Sequence, residues 1–579
     1  MTTAALAVAL WLASPAASAV KNPGTFVYLD SSDYETLDPD WSFETAAHAV
    51  FSNLYDYLLQ YRPGGLNEAD LQPMLSEAVP TRANGLITAD GLTYRFPIRK
   101  GVRFHDGSEM TAEDVRYSLL RFMLLDRDAG PSSLLLQPVL GVNDARKGRE
   151  PDNDVFERAA RAVTVEGSTV VVRLARPFAP FLSILAGNGA VLSRALCAAR
   201  GQWDGSPGTW RRFHNPPVQS ALLDQDVGTG PFKLVRWDKK IRQLTLARHD
   251  AYWRGPAKIE RVIIKAVPEF STRKLMLLAG DADAVAAEQP QRSQLSDLPG
   301  VELIDVPLPL SPTTLFFVLS ISTAGNSDAG SGRLDGRGVP ADFFTDLDVR
   351  LGFAHALDYD AYARDVLRGR GEVPSSYMPR LLGGRAGAPA HPYDPAAASA
   401  HFRKAWGGEV WRRGFELTLS YIEGSDQIQA ACQLVKRGIE TLNPKFHVNV
   451  RVVQRSTSAD LARKHNMPLI IGSWRADYPD RHNVAYAFMH SGGYYASQQS
   501  WRAPEPDDLV EKGAAELDAA ARDALYARLQ ALADEQAPHV PFASIPRFRV
   551  QRTWIKGYLP RSDFPSPGMG YFYDLSKAE

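Results

Sequence analysis

Cysteine is almost missing from this 579-residue chain, which carries only Cys197 and Cys432. So few, set so far apart, exclude a disulfide-dense scaffold and any four-cysteine zinc site; a single bridge is countable, and the expectation is that the two stay unpaired. Charge imbalance is missing too. The 65 Lys plus Arg against 66 Asp plus Glu leave a formal charge of -1, so nothing global favours nucleic acid or an anionic membrane as partner, and a small or neutral ligand fits better. No segment after the N-terminus has the ~20 uninterrupted apolar residues that a bilayer crossing needs. Catalytic signatures are also lacking: there is no Gly-x-Ser-x-Gly elbow, no Gly-x-x-x-x-Gly-Lys phosphate loop, no His-Glu-x-x-His and no Cys-x-x-Cys. Gly228-Thr229-Gly230-Pro231 lacks the third glycine of a dinucleotide loop and suits a tight turn. The 12 His are scattered without ligand spacing, so no metal or cofactor is expected.

What is present is an ordinary globular composition, 45% hydrophobic and 23% charged, with 40 Pro and 44 Gly marking many turns. The length exceeds what one core normally organises and implies two or three lobes. Residues 4–13 form an apolar run followed by Ser14-Pro15 and Ala17-Ser18-Ala19, a small-residue cleavage site, so 1–19 is expected to be an export leader. It lacks the Lys or Arg usually found ahead of the apolar core, which leaves open whether Met1 is the true start.

Down the chain, Thr25 to Leu29 reads as a strand and Leu37-Asp38-Pro39 as a turn into a helix carrying Ala46, Val50, Leu54 and Leu58. Leu92 to Ile98 reads as a strand, Asp106-Gly107 as a turn, and Thr111 with Asp114 as a capping box ahead of Val115, Leu119, Phe122 and Met123 on one helical face. Thr169 to Leu174 is strand-like, while Gly201 to Pro217 is expected to be a surface loop. Arg261 to Val267, a helix over Thr272–Leu278 stopped at Gly280, and an extended Asp281 to Val285 predict a parallel βαβ unit. Later segments alternate again: helices near 349–357, 360–367, 395–406 and 428–439 and around Leu525 to Leu532, with strands at 416–421 and 448–453. Leu469-Ile470-Ile471-Gly472 is too short for a helix and bounded by Pro468 and Pro479; it predicts a buried strand that breaks into Ser473-Trp474-Arg475-Ala476-Asp477-Tyr478.

The segment 92–119, from Leu-Thr-Tyr-Arg-Phe-Pro-Ile-Arg-Lys-Gly-Val-Arg-Phe-His-Asp-Gly through Thr-Ala-Glu-Asp-Val-Arg-Tyr-Ser-Leu, resembles the signature of the family 5 extracellular solute-binding proteins, the peptide-type receptors of ABC importers. Gly228 to Trp237, Asp348 to Asp358 and Tyr393 to Ala398 resemble further landmarks in the family's order. The resemblance implies an α/β periplasmic-binding-protein type II fold, with two main lobes joined by a two-segment hinge and an accessory subdomain. Its expected layout is lobe I at 20–305, with the accessory part at about 55–190, lobe II at 306–540, and a return segment of lobe I at 541–579.

The resemblance also implies a function. An exported, periplasmic, monomeric receptor would bind oligopeptides or dipeptides between its lobes and hand them to the permease of an importer, with no enzymatic step. In the family's peptide receptors the segment matching Ser473-Trp474-Arg475 offers main-chain hydrogen bonds to an extended peptide, which ignore side chains, and the carboxylate matching Asp477 receives the peptide's ammonium. Phe43, Glu44 and Thr45 are implied on the facing lobe. Arg475 departs from the smaller residue common there; it either selects a ligand carboxylate or points to solvent. Read from the residues alone, Asp477 closes its own turn and Trp474 is a core aromatic. The alternatives are the same fold with a nickel chelate, an opine or a sugar as ligand, and an exported hydrolase.

Overall fold

Thr25–Asp30 is the organising strand of a seven-stranded sheet. A computed structural model describes residues 20–41, 45–128, 130–148, 150–215, 220–306, 312–423, 426–561 and 568–578. The expected leader at 1–19 and the site candidates Phe43 and Glu44 lie outside the described residues, and Thr45 opens a helix without its side chain being among them.

In that sheet Thr25–Asp30 runs parallel to Arg261–Ala266 on one side and Ala284–Val285 on the other. The helix Phe270–Ala279 connects those two neighbours, ending at Gly280 with a left-handed φ of 74°. This is the expected βαβ unit, with Thr25–Asp30 inserted between its strands. Beyond Ala284–Val285 come Arg547–Arg552 and then Val301–Val306, both antiparallel pairings. A second sheet has five strands in the order Phe446–Val453, Phe415–Ile422, Leu469–Gly472, Thr313–Phe317, His539–Ala543. Each sheet has its own large apolar core.

The chain passes between the sheets twice, and the described residues flanking the two passages are paired with one another. Val306 pairs with Arg547 in the first sheet, and Thr313 with Ala543 in the second. Two short connections whose ends are paired are what a hinge requires. Leu469–Gly472 lies in the middle of the second sheet, parallel to one neighbour and antiparallel to the other. Burial on both faces explains the unbroken Leu-Ile-Ile run.

Thr93–Pro97, Thr169–Arg173 and Val163–Glu166 form a small antiparallel sheet beneath the helix Ala112–Leu125. Asp114 Oδ2 accepts from the Thr111 N–H at 2.9 Å, as the capping pattern predicts. One local expectation needs correction. The helix beginning at Thr45 ends at Leu54 rather than reaching Leu58, because the chain at Gly228 and Gly230 passes directly over its end: a Cβ at Gly228 would stand 2.1 Å from the Leu54 oxygen, and one at Gly230 2.5 Å from its carbonyl carbon. The stretch 201–215 is the expected surface loop, with turns, bends and one short 3-10 segment, and it is anchored at two points. Trp203 stacks on Tyr117 and Trp210 on Phe156, and both indoles are buried, so its apolar content is spent on packing. Cys197 and Cys432 are free thiols in different cores. Among the described residues no helix is long and apolar enough to cross a membrane.

The helix Ala112–Leu125 is tied to the chain start by Arg121, which is fully buried. Its guanidinium grips Asp38 bidentately at 2.9 and 2.6 Å and also pairs with Asp40. Burial alone would raise Asp38, yet Arg121 more than offsets it and holds the carboxyl below its usual range. Removing one partner of such a cluster strands the others, so Arg121→Ala should destabilise the protein by ~3–5 kcal/mol. Urea unfolding checks this, and a change below ~1 kcal/mol would contradict it.

Candidate functional site

Where Leu469–Gly472 ends, the backbone turns into a loop that a single amide organises. Gly472 is required at the turn, since a Cβ there would lie 2.5 Å from the Tyr495 hydroxyl, which donates to the Ser473 carbonyl at 3.0 Å. Trp474 packs on Tyr494 and Tyr495, with ring centroids 5.2 and 6.2 Å away, at the edge of the second core. Asn483 then reaches back from the next helix, Arg481–Met489. Its Oδ1 accepts from Trp474 Nε1 at 2.7 Å and from the Asp477 N–H at 3.2 Å, while its Nδ2 donates to Asp477 Oδ2 at 2.9 Å.

The helix that carries Asn483 is itself fixed. Asp480 caps it by accepting from the His482 N–H at 2.7 Å, and Arg522 holds both Asp480 oxygens at 2.7 and 2.8 Å. Burial would raise Asp480, but the Arg522 charge keeps its carboxyl low, so it stays ionised. Asp477 is in the opposite condition. It keeps some water-accessible surface yet is densely ringed by protein, and this burial pushes its carboxyl up to about 6, against the smaller opposing pull of the Asn483 hydrogen bond and the Arg475 charge.

Of the residues singled out in the sequence, Ser473, Trp474, Arg475 and Asp477 share this loop, with Ser473 exposed and the others half-buried. Burial and the neighbouring Arg547 guanidinium press Arg475 down to about 9. The helix that opens at Thr45 lies close by, because His48 on it is held down at about 4, first by burial and then by the Arg475 charge. His48, Asn483 and Arg547 were not legible as site residues. Asn483 sits six residues beyond Asp477 without any recognised spacing, and His48 and Arg547 are distant in sequence.

The loop lies at the contact between the two halves of the molecule. Asn188 from the first half donates to the Asp477 carbonyl at 3.4 Å, Ala179 N–H to the Ala514 carbonyl at 2.7 Å, and Arg176 pairs with Glu511. Near the end of the loop is a cavity of ≈ 600 Å³ whose lining includes Tyr61, Glu68, Tyr94, Leu382, Asp480 and Arg522. Of the loop and its helix, Pro479, Asp480 and Arg481 line this open cavity, whereas Trp474, Arg475 and Asp477 do not.

The raised carboxyl has a stability consequence. Asp477 titrates at about 6 when folded against an ordinary 3.8, so the folded state binds the extra proton between these values; its contribution is favourable in acid and is lost as pH rises through about 6. Ligand-free Asp477→Asn should therefore be ~2–3 kcal/mol more stable than the parent at pH 7.5 and no different at pH 4. Urea unfolding at the two pH values is the check; equal stability at both would refute it.

Comparison with known proteins fits this architecture. Residues 71–496 match the model of the bacterial extracellular solute-binding proteins, family 5 Middle. The Di/tripeptide-binding protein 2 of Pseudomonas aeruginosa (strain UCBPP-PA14) is 25% identical over 571 residues, covering 95% of each chain. Among solved structures, the ABC transporter-associated periplasmic binding protein DppA of Helicobacter pylori, in complex with the peptide STSA, superposes with a TM-score of 0.73 at 21% identity, covering 96% of this chain and 98% of that one. NikZ of Campylobacter jejuni, in complex with Ni(L-His), gives 0.70 at 18% identity, covering 96% and 100%. The fold is thus the type II periplasmic-binding-protein fold. With the family model spanning well over half its length, this chain belongs to the family 5 bacterial extracellular solute-binding proteins.

Proposed function

We propose that this protein is an exported, monomeric receptor that closes around a short peptide and presents it to the permease of an ABC importer. The single observation that carries the reading is Asp477: a carboxylate fixed by Asn483 where the two halves meet, with no ion pair within 4 Å among the described residues. A carboxylate desolvated in this way gains most from a ligand ammonium, through a charge-assisted hydrogen bond. The ligand's main chain would lie along Ser473, Trp474 and Arg475, with Phe43, Glu44 and Thr45 facing it from the other side. Relatives named for di- and tripeptides support the peptide class.

In this reading 20–305 and 541–579 form lobe I, with an accessory part at about 55–190, 306–540 form lobe II, and 1–19 direct export to the periplasm. The two crossings supply the hinge, and no bond is made or broken. Ligand contacts from both lobes would hold the closed form.

Asp477→Asn should weaken peptides with a free amino terminus by ~2–5 kcal/mol in calorimetry while leaving N-acetylated peptides unaffected. Parental affinity of the variant for free-amine peptides would sink the assignment. The pH dependence follows from the same group. Ammonium binding needs the ionised carboxylate, so affinity should rise about tenfold per unit from pH 5 up to about 6 and level off by pH 7. His48, held at about 4, stays neutral across this window. A flat profile in the parent, or the same slope in Asp477→Asn, would contradict the role.

A further inference from the structure

Away from the 473–477 loop, the two halves also grip each other directly. Glu511, on the helix Pro504–Ala515, pairs with Arg176 of the first half, and the two side chains keep only 32% and 35% of their surface exposed. Glu511 is steadied from its own side. The Nδ1 of His490 accepts from the Gly492 N–H at 3.1 Å, which leaves Nε2 turned to Glu511 Oε1 at 3.3 Å. The His490 contact first, and then Arg176, hold the Glu511 carboxyl at about 2 against the opposing effect of burial. The His490 ring stacks on Tyr486 with centroids 4.6 Å apart, and the Tyr486 hydroxyl accepts from Asn143 of the first half at 3.3 Å. Beside this pair, Phe178 meets the His482 ring edge-on at 5.1 Å, and the Ala179 N–H donates to the Ala514 carbonyl at 2.7 Å. The helix itself bridges the halves, since Val510 packs in the second core and Ala514 in the first.

None of Arg176, Glu511, His490 and Tyr486 lines the ≈ 600 Å³ cavity, and all lie outside the 473–477 loop. Contacts that form only when the halves meet favour the closed form whatever solute lies between them. Resting on the reading of the halves as joined by a hinge, we propose that Arg176 and Glu511 form a latch that favours closure by an amount independent of the ligand. Opening separates a half-exposed ion pair and returns both charges to water, a small cost, so the latch tunes closure without forbidding release. It raises the affinity for every ligand by one common factor, because each ligand then meets a larger closed fraction. Selectivity among ligands stays with the residues that touch them.

The test is small-angle X-ray scattering of the full-length protein, freed of co-purified solute by unfolding and refolding, as the parent, Arg176→Glu, Glu511→Arg and the two changes together. Each single change sets like charges across the contact. Each should raise the radius of gyration on the order of 1 Å above the roughly 25 Å of a compact chain of this length, and the double change should return it to the parent's value. Recovery in the double variant separates a lost latch from a misfolded chain. Every sample is measured again with excess trialanine. Equal radii for all four proteins, or an expansion that the double change does not reverse, would overturn the latch. If trialanine still contracts any of them, the hinged receptor stands without its latch; if neither substitution nor trialanine changes the radius of any sample, both are overturned.

Discussion

Asn483 uses one side-chain amide to hold three groups of the 473–480 loop: the Trp474 indole, the Asp477 backbone and the Asp477 carboxylate. The placement of Trp474 and Asp477 passes through this clamp. Behind it, Asp480 and Arg522 lock the helix that carries Asn483, and in front of it Asp477 is kept in a fixed position where burial raises its proton affinity. A carboxylate free to swing would find water or Arg475. Held as it is, it is a poor place for an unaccompanied charge, and under the proposed function that local loss of stability is what a ligand cation would relieve.

The fold was legible where hydrophobic pattern and chain punctuation agreed. Leu469-Ile470-Ile471 was readable as a buried strand because a position in the middle of a sheet tolerates no polar alternation, and the βαβ unit because Gly280 closes its helix. Sheet order was not legible, since the insertion of Thr25–Asp30 between two strands more than two hundred residues away leaves no local mark. The helix from Thr45 was overextended for a related reason. Leu58 continues the apolar period, but the helix is stopped by a distant segment, the glycine pair at 228 and 230, pressing on Leu54.

The candidate site divides along the same line. Residues contiguous in sequence, from Ser473 to Asp477, could be named together because one loop carries them. Those brought in by the fold, His48 and Arg547, could not, and neither could the structural use of Asp38, which the sequence offers as a turn residue and the fold spends on Arg121. Trp474 shows how the core and site readings combine: its ring packs at the core edge while its indole nitrogen helps to set Asn483. Neither role displaces the other.

If Asp477 receives a ligand ammonium between the two halves, a bound peptide must bring its amino nitrogen to that carboxylate. A crystal structure of the protein with a bound short peptide tests it most directly. The peptide's amino nitrogen should lie about 2.7–2.9 Å from an Asp477 carboxylate oxygen, with the carboxylate still clamped by Asn483. A bound solute whose amino group lies elsewhere, or one without an amino group that leaves Asp477 facing water, would contradict it.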